Sequence, residues 1–408
     1  MTTIDGDRLL DGLRTLRTFG AQGTGVVRPT FSDQDMAARR WLRDRMTDAG
    51  LDATIDGVGN VFGRSRNPGL ALVLGSHSDT QPEGGWLDGA MGVMYAIEVA
   101  HARGADPATA GLAIDVAAWS DEEGTYTSCL GATGFVGAVD DTVLAAENAA
   151  GESVAQALER VGLTDVPHTR FEPDRHIGYL EAHIEQGPYL EEWGHRIGVV
   201  TSIVGIRGAT VTFSGEQNHA GTTPMARRKD AAVAMIEFGS RLQRRMAAAA
   251  GPTSVWTTGR VTVVTGAASI VPGFDEVVVQ FRDQVDEVLH RMLDALVATA
   301  EEVDAGSEVD VATTVHGSIA PTVMDPDLRR HIAEAAERRA PGAWVEMPSA
   351  AGHDPMVLSH HLPCAMLFIP SIGGVSHDFA EDSHDDDIVL GCQVLADAAV
   401  SILRGGAS

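Results

Sequence analysis

A chain of 408 residues, 44% of them hydrophobic, holds material for two domains, each with its own core. Asp and Glu number 57 against 30 Lys and Arg, and the net charge of -27 sets up a field that repels nucleic acid and anionic membrane surfaces. Cys129, Cys364 and Cys392 stand apart without CxxC spacing, which excludes a disulfide framework and a zinc ribbon. The N-terminal "MTTIDGDRLL" lacks the basic and apolar regions of a signal peptide, and no apolar run reads as a membrane span. The expectation is a soluble cytoplasmic protein with neither nucleic acid nor membrane as partner.

In chain order, residues 8–18 and 33–48 read as amphipathic helices. "ALVLG" (71–75) is a fully apolar run ending in Gly, as a buried parallel strand should be. "GVMYAIEVAHARG" (92–104) reads as a helix and "LAIDVAAWS" (112–120) as the next strand, which completes a βαβ unit. The middle of the chain changes character. "GATVTFSG" (208–215) alternates apolar and polar, an Ala-rich helix covers about 228–248, strands follow at 254–266 and 275–284, a helix at 285–300 and a strand at 308–317. That β-α-β-β-α-β order is the ferredoxin-like pattern. Residues 209–318 therefore read as an inserted domain, and residues 1–208 and 319–408 as one α/β domain built from two chain segments. The acidic run "EDSHDDD" (381–387) reads as solvated surface.

Chemistry in open α/β sheets gathers beyond the carboxyl ends of strands, and polar residues collect there. His77 follows the first strand, Asp88 lies in the glycine-rich turn after it, and Glu122–Glu123 follow the second strand. His183 sits in "EAHIEQGP" and His377 in "GGVSHDFAED". Imidazole with carboxylate suits Zn, Mn, Ni or Fe better than Ca or Mg. One carboxylate shared by two ions about 3.5–4 Å apart is the geometry of two-metal hydrolases. On this reading Asp88 bridges, His77 and His183 complete one ion, and Glu123 and His377 complete the other. Asp79 reaches the back of His77 and fixes its tautomer. Glu122, beside a ligand but turned away from it, is the general base. Gly84, Gly85 and Gly89 let the turn adopt positive φ and return Asp88 to His77. His353–Asp354 fits a pair supporting the ligands or a helix N-cap equally well. His101, His168, His290, His360 and His361 carry no supporting motif.

The motifs "GSHSDT…GGWLDGAMGV", "DEEG", "HIEQGP", "NHAGTTPM", "VPG…FR", "AGHD" and "GGVSH" occur in this order. The chain resembles the N-carbamoyl-amino-acid hydrolase, β-ureidopropionase and allantoate amidohydrolase family, over roughly residues 8–400. That family belongs to the aminoacylase-like and glutamate-carboxypeptidase-like metallohydrolases. The resemblance implies a di-metal, peptidase-like α/β/α catalytic domain with an inserted ferredoxin-like dimerisation or lid domain. It implies two divalent cations, zinc first among them, and cleavage of a linear C–N bond in a small carboxylate-bearing substrate, an N-carbamoyl amino acid or ureido acid, by a metal-bridging hydroxide with Glu122 as base. It also implies a homodimer in which His219 completes the partner's site and steadies the oxyanion, with Gln186, Gly352 and Arg282 contacting substrate. Two departures bear on the substrate. Ser269 stands in "SIVPG" where the family has Asn, and the loop after Gly124 is shorter than usual. An N-acyl-amino-acid amidohydrolase or dipeptidase of the same superfamily is the alternative enzyme, and a metal- or ligand-binding protein without catalysis the alternative class.

Overall fold

A computed structural model describes residues 2–405. The chain divides into two compact units, one of residues up to Thr201 together with those from Val323 onward, the other Ser202–Thr322.

The first unit opens with α1 (Gly6–Arg17) and α2 (Asp33–Asp48), each capped by a side chain, Asp5 and Ser32 respectively. Then come β1 (Leu51–Ile55), β2 (Val61–Ser65), β3 (Ala71–His77), α3 (Ala90–Ala105), β4 (Ala113–Trp119), β5 (His176–Ile184) and β6 (Ile197–Ile203). The second unit contains β7 (Gly205–Ser214), α4 (Ala231–Ala249), β8 (Val255–Val263), β9 (Phe274–Asp283), α5 (Asp286–Ala305) and β10 (Asp310–Val315). The chain then returns with β11 (Thr322–Val323), α6 (Pro326–Arg339), β12 (Trp344–Ser349), α7 (Pro355–Leu358), β13 (Cys364–Ile369) and α8 (Asp385–Gly405).

The large sheet runs β11-β6-β13-β5-β3-β4-β2-β1, with β12 on β6. Its centre, β13-β5-β3-β4, is parallel throughout. Both faces of that centre are covered, so β3 and β4 are buried at every residue. In β4, Ile114, Val116 and Ala118 join α1, α2, α3, α6 and α8 in one core. Trp119, on the other face, meets Phe135 and Tyr179 at ring distances of 5.1 and 5.9 Å. This is the expected α/β architecture. Parallel strands place His77, Trp119 and Ile184 at one end of the sheet, so the segments after them emerge together.

The second unit folds around its own core. Its sheet order is β8-β9-β7-β10, antiparallel at each pairing, which is the ferredoxin-like arrangement. Val211, Phe213, Val279 and Phe281 point to one face and pack against Phe238 and Leu242 of α4 and Leu289 and Met292 of α5. The unit starts before and ends after the expected 209–318. The cause is pairing at its base: β7 begins at Gly205, and Ile206 bridges Ile319.

Two expectations need correction. The run 381–387 is solvated only in part: Asp382, His384, Asp385 and Asp386 are exposed, but Glu381, Ser383 and Asp387 are buried and Asp385 starts α8. Helix α8 is itself long and apolar enough to cross a membrane by length and composition, yet 67% of its most apolar window is buried and it packs on α6, α3 and the sheet. Of the three glycines in the turn, only Gly89 has positive φ (62°); Gly84 and Gly85 are needed for close approach. A Cβ at Gly85 would lie 1.8 Å from Glu381 Oε1.

Helix α2 carries a buried ion pair. Arg39 and Asp35, four apart on α2, are both fully buried and meet at 2.7 Å, and Arg39 also donates to the Gly59 carbonyl. Removing one partner strands the other charge. Arg39→Leu is therefore expected to lower unfolding free energy by about 3–5 kcal/mol in urea titration; a loss under about 1 kcal/mol would show the pair to be dispensable.

Candidate metal centre and active site

Five segments deliver the cluster. His77 ends β3. Gly89, with φ of 62°, turns the chain into α3 and carries Asp88 back over the His77 ring. A Cβ at Gly89 would sit 2.4 Å from that ring, and the Gly89 N–H lies 3.1 Å from His183 Nε2. Glu122 and Glu123 follow β4, His183 lies at the end of β5, and His377, with φ of 53°, follows β13.

The two oxygens of Asp88 face different partners. Oδ1 lies 3.6 Å from His77 Nε2 and 3.0 Å from His183 Nε2. Oδ2 lies 3.3 Å from His377 Nε2, which is 3.7 Å from Glu123 Oε1. Within each of the groups His77–Asp88–His183 and Asp88–Glu123–His377 the ligand atoms lie within 4.8 Å of one another, as they do in His77–Glu122–Glu123. The rings are oriented from behind. His77 Nδ1 is 3.1 Å from the Asp79 main-chain oxygen and His183 Nδ1 is 2.9 Å from that of Ile184. A carbonyl only accepts, so both rings carry a proton on Nδ1 and turn Nε2 toward Asp88, the nitrogen a cation would take. It is thus the Asp79 carbonyl, not its carboxylate, that bonds the imidazole. The carboxylate stands 3.8 Å off and accepts the Glu123 N–H. Glu123 Oε1 is buried with no hydrogen-bond partner. Converging Nε2 atoms and an unpartnered carboxylate oxygen fit a divalent cation.

The electrostatics agree. Burial disfavours a charged His77 ring, but Glu122, Asp88 and Asp79 outweigh it and hold the ring well above the usual imidazole range. His377 is raised to about 9, chiefly by its bond to Asp88. Burial pushes Glu122 well above the carboxylate range, with Asp354 and Glu123 adding to it against His77. Glu123 is raised to about 7 by burial and by Asp88. Crowded carboxylates that hold protons this tightly mark a place that favours cations.

Glu122 and Glu123 diverge, though not by strand alternation as expected. β4 has ended, Asp121 adopts φ of 54° and its carboxylate accepts the N–H groups of Thr125, Tyr126 and Thr127. That turn aims Glu122 at His77 (3.6 Å) and Glu123 at His377. Gln186, Gly352 and Ser128 join the ligands around a cavity of about 180 Å³. Gln186 Nε2 reaches Asp88 Oδ2 and Ser376 Oγ at 3.3 and 3.2 Å.

His219, Ser269 and Arg282 belong to the second unit. His219 pairs with Ile270 in a short ribbon, and the next residue, Ala220, bonds the Ser269 carbonyl. His219 Nδ1 accepts from the N–H of Gly221 and Thr222, which leaves Nε2–H as an exposed donor. Arg282 is half-buried on the face of β9 opposite Phe281.

One support, Glu381, escapes a reading of the sequence; the other, His353, is one the sequence leaves open beside an N-cap. Glu381 accepts the N–H groups of Leu87 and Asp88 at 3.2 and 3.0 Å and so fixes the bridging residue; its place in an acidic run conceals it. His353 stacks edge-on against His183 at 4.7 Å and bonds Ser349, so it supports a ligand. Asp354 does not cap α7 through its side chain, and both its oxygens are buried without partners.

A mixed sheet covered on both faces, with imidazoles and carboxylates gathered at its strand ends, defines a metallopeptidase-like hydrolase. Residues 73–401 match the Peptidase family M20/M25/M40, and the chain belongs to it. The chain is 32% identical to an N-carbamoyl-L-amino acid amidohydrolase of Geobacillus stearothermophilus, covering 98% of this chain and 100% of that one. It is 33% identical to an allantoate amidohydrolase of Escherichia coli, covering 93% and 94%. The crystal structure of an amidase of the hydantoinase/carbamoylase family from Burkholderia phymatum superposes with a TM-score of 0.94 at 49% identity, covering 99% of each chain. The resemblance carried by the motifs therefore holds: the protein is an amidohydrolase, an enzyme acting on carbon–nitrogen bonds other than peptide bonds.

Proposed function

We propose that the enzyme hydrolyses an N-carbamoyl amino acid or related ureido acid. The observation that carries this is the sharing of Asp88 between His77 and His183 on one oxygen and His377 on the other, with Glu122 beside it. His77, His183 and Asp88 would hold one divalent cation, and Asp88, Glu123 and His377 a second, with zinc the first candidate and manganese, cobalt and nickel compatible. Such a pair supplies the charge that polarises a carbonyl and makes water acidic.

The chain's own groups do the rest. Glu122 takes a proton from the attacking water and delivers it to the leaving nitrogen. His219, from a second copy of the chain, donates Nε2–H to the developing oxyanion. Arg282 grips the substrate carboxylate bidentately, while Gln186, Ser269 and the main chain at Gly352 orient the head group. Attack at the carbamoyl carbon breaks its bond to the amino-acid nitrogen. The resulting carbamate falls apart into ammonia and carbon dioxide. The setting is the cytoplasm and the working form a homodimer.

The test is ammonia release from a panel of N-carbamoyl amino acids, with Zn, Mn or Co added after chelation. Ammonia from carbamoyl substrates that stops on chelation and returns with metal is the expected result. Hydrolysis of N-acetyl or dipeptide substrates alone, without ammonia from the carbamoyl set, would transfer the reading to an aminoacylase or dipeptidase. No turnover on any amide would leave a binding protein.

A further inference from the structure

The cavity around Asp88 is about 180 Å³ and its walls are ligands, Glu122, Ser128, Gln186 and main chain at Ala351–Gly352. Its size suits a reacting amide head group and leaves little room for a substituent. Beside it lies a second cleft of about 420 Å³, within the same compact unit. Glu123 lines both. Gln81 stands in the partition, donating to Glu123 Oε2 at 2.7 Å and to its main-chain oxygen at 3.4 Å. The hydrogen-bonded pair Gln81–Glu123 thus stands where the two linings meet.

We propose that this cleft is the subsite for the α-substituent of the substrate, and that it takes an uncharged, apolar side chain up to aromatic size. The proposal rests on the ureido-acid reading above and deepens it. Pro29, Pro82, Ala149 and Ala150 give the cleft an apolar lining, and the remaining side chains, such as Thr80 and Thr125, are neutral apart from Glu123. No lysine or arginine is present to receive a second carboxylate, which would enter against the Glu123 charge. An ammonium gains little, because Glu123 Oε2 is held by Gln81 and Oε1 faces His377. The walls are set in advance. Asp121 fixes the turn at Thr125, Asn148 Oδ1 accepts the N–H groups of Ala150 and Glu152 at 2.9 and 3.1 Å, and Tyr126 joins the two walls through Glu152 at 2.6 Å. A preformed, mainly apolar cleft is what side-chain recognition requires.

The test compares N-carbamoylphenylalanine, N-carbamoylaspartate and N-carbamoylglycine on the full chain with metal bound. The parent is expected to favour phenylalanine over glycine in kcat/KM by roughly tenfold or more, from burial of the ring, and to process aspartate worst. Ala149→Trp, on an exposed loop position, fills the cleft and is expected to reduce the phenylalanine-to-glycine ratio at least to about threefold. Ala150→Trp is the second variant, should the first melt early. A parent ratio near one, a preference for aspartate, or an equal loss on all substrates in both variants overturns the subsite. Should carbamoyl compounds not be turned over, the ureido reading falls. The subsite is then judged by the same ratio on N-acetylphenylalanine and N-acetylglycine.

Discussion

Glu122→Gln is expected to lower kcat by roughly 10³-fold while the metal content per chain stays that of the parent. The amide keeps the shape of the carboxylate but cannot take a proton. Glu122 is suited to moving protons because its carboxylate lines the cavity, 3.6 Å from His77 Nε2, and burial already holds its pKa well above the usual range. The main-chain oxygen of Glu122 accepts from Ser128 Oγ at 2.7 Å, so the backbone should stay in place when the side chain changes. KM should move little, because the substrate carboxylate is assigned to Arg282. Elemental analysis and steady-state kinetics on the same preparation decide the matter. Near-parental turnover with metal retained would remove Glu122 from the mechanism; turnover and metal lost together would make it a ligand.

The ligand set is legible in the sequence because each member ends an apolar run or borders glycine, and apolar runs of β3 and β4 length announce strand ends. The alternation of β7 and β9 likewise exposes the second unit, since one face of each is buried. The features that stay hidden depend on partners far away in sequence. Glu381 looks like surface charge until it is seen beneath the Asp88 main chain, 293 residues away. Asp35 and Arg39 look like an exposed helical pair, yet both are fully buried. Carbonyls set the tautomers of His77 and His183, and a carbonyl leaves no mark in the sequence. The start of α8 is disguised in the same way: its three leading aspartates suggest surface, while the rest of the helix is largely core.

Asp88→Asn should have the broadest effect, abolishing metal retention and turnover together. Every other proposed ligand belongs to one ion; Asp88 alone has an oxygen toward each pair of partners. An amide matches the carboxylate in size, so the Glu381 bonds to the Leu87 and Asp88 main chain should survive. The loss is of a negative charge that three imidazoles face, which His183, His377 and His77 together hold ionised far below its usual range despite burial. With the shared charge gone, the remaining ligands offer each cation two side chains instead of three. Several kcal/mol of charge stabilisation lost at both positions corresponds to a fall in kcat/KM of about 10⁴-fold or more. Metal content after dialysis should drop below about one ion per chain, whereas Glu122→Gln retains the full complement. The pair of variants thus separates holding the cations from moving the proton. An Asp88→Asn enzyme that keeps two ions per chain would show that the imidazoles and Glu123 suffice, and the shared carboxylate would lose its role.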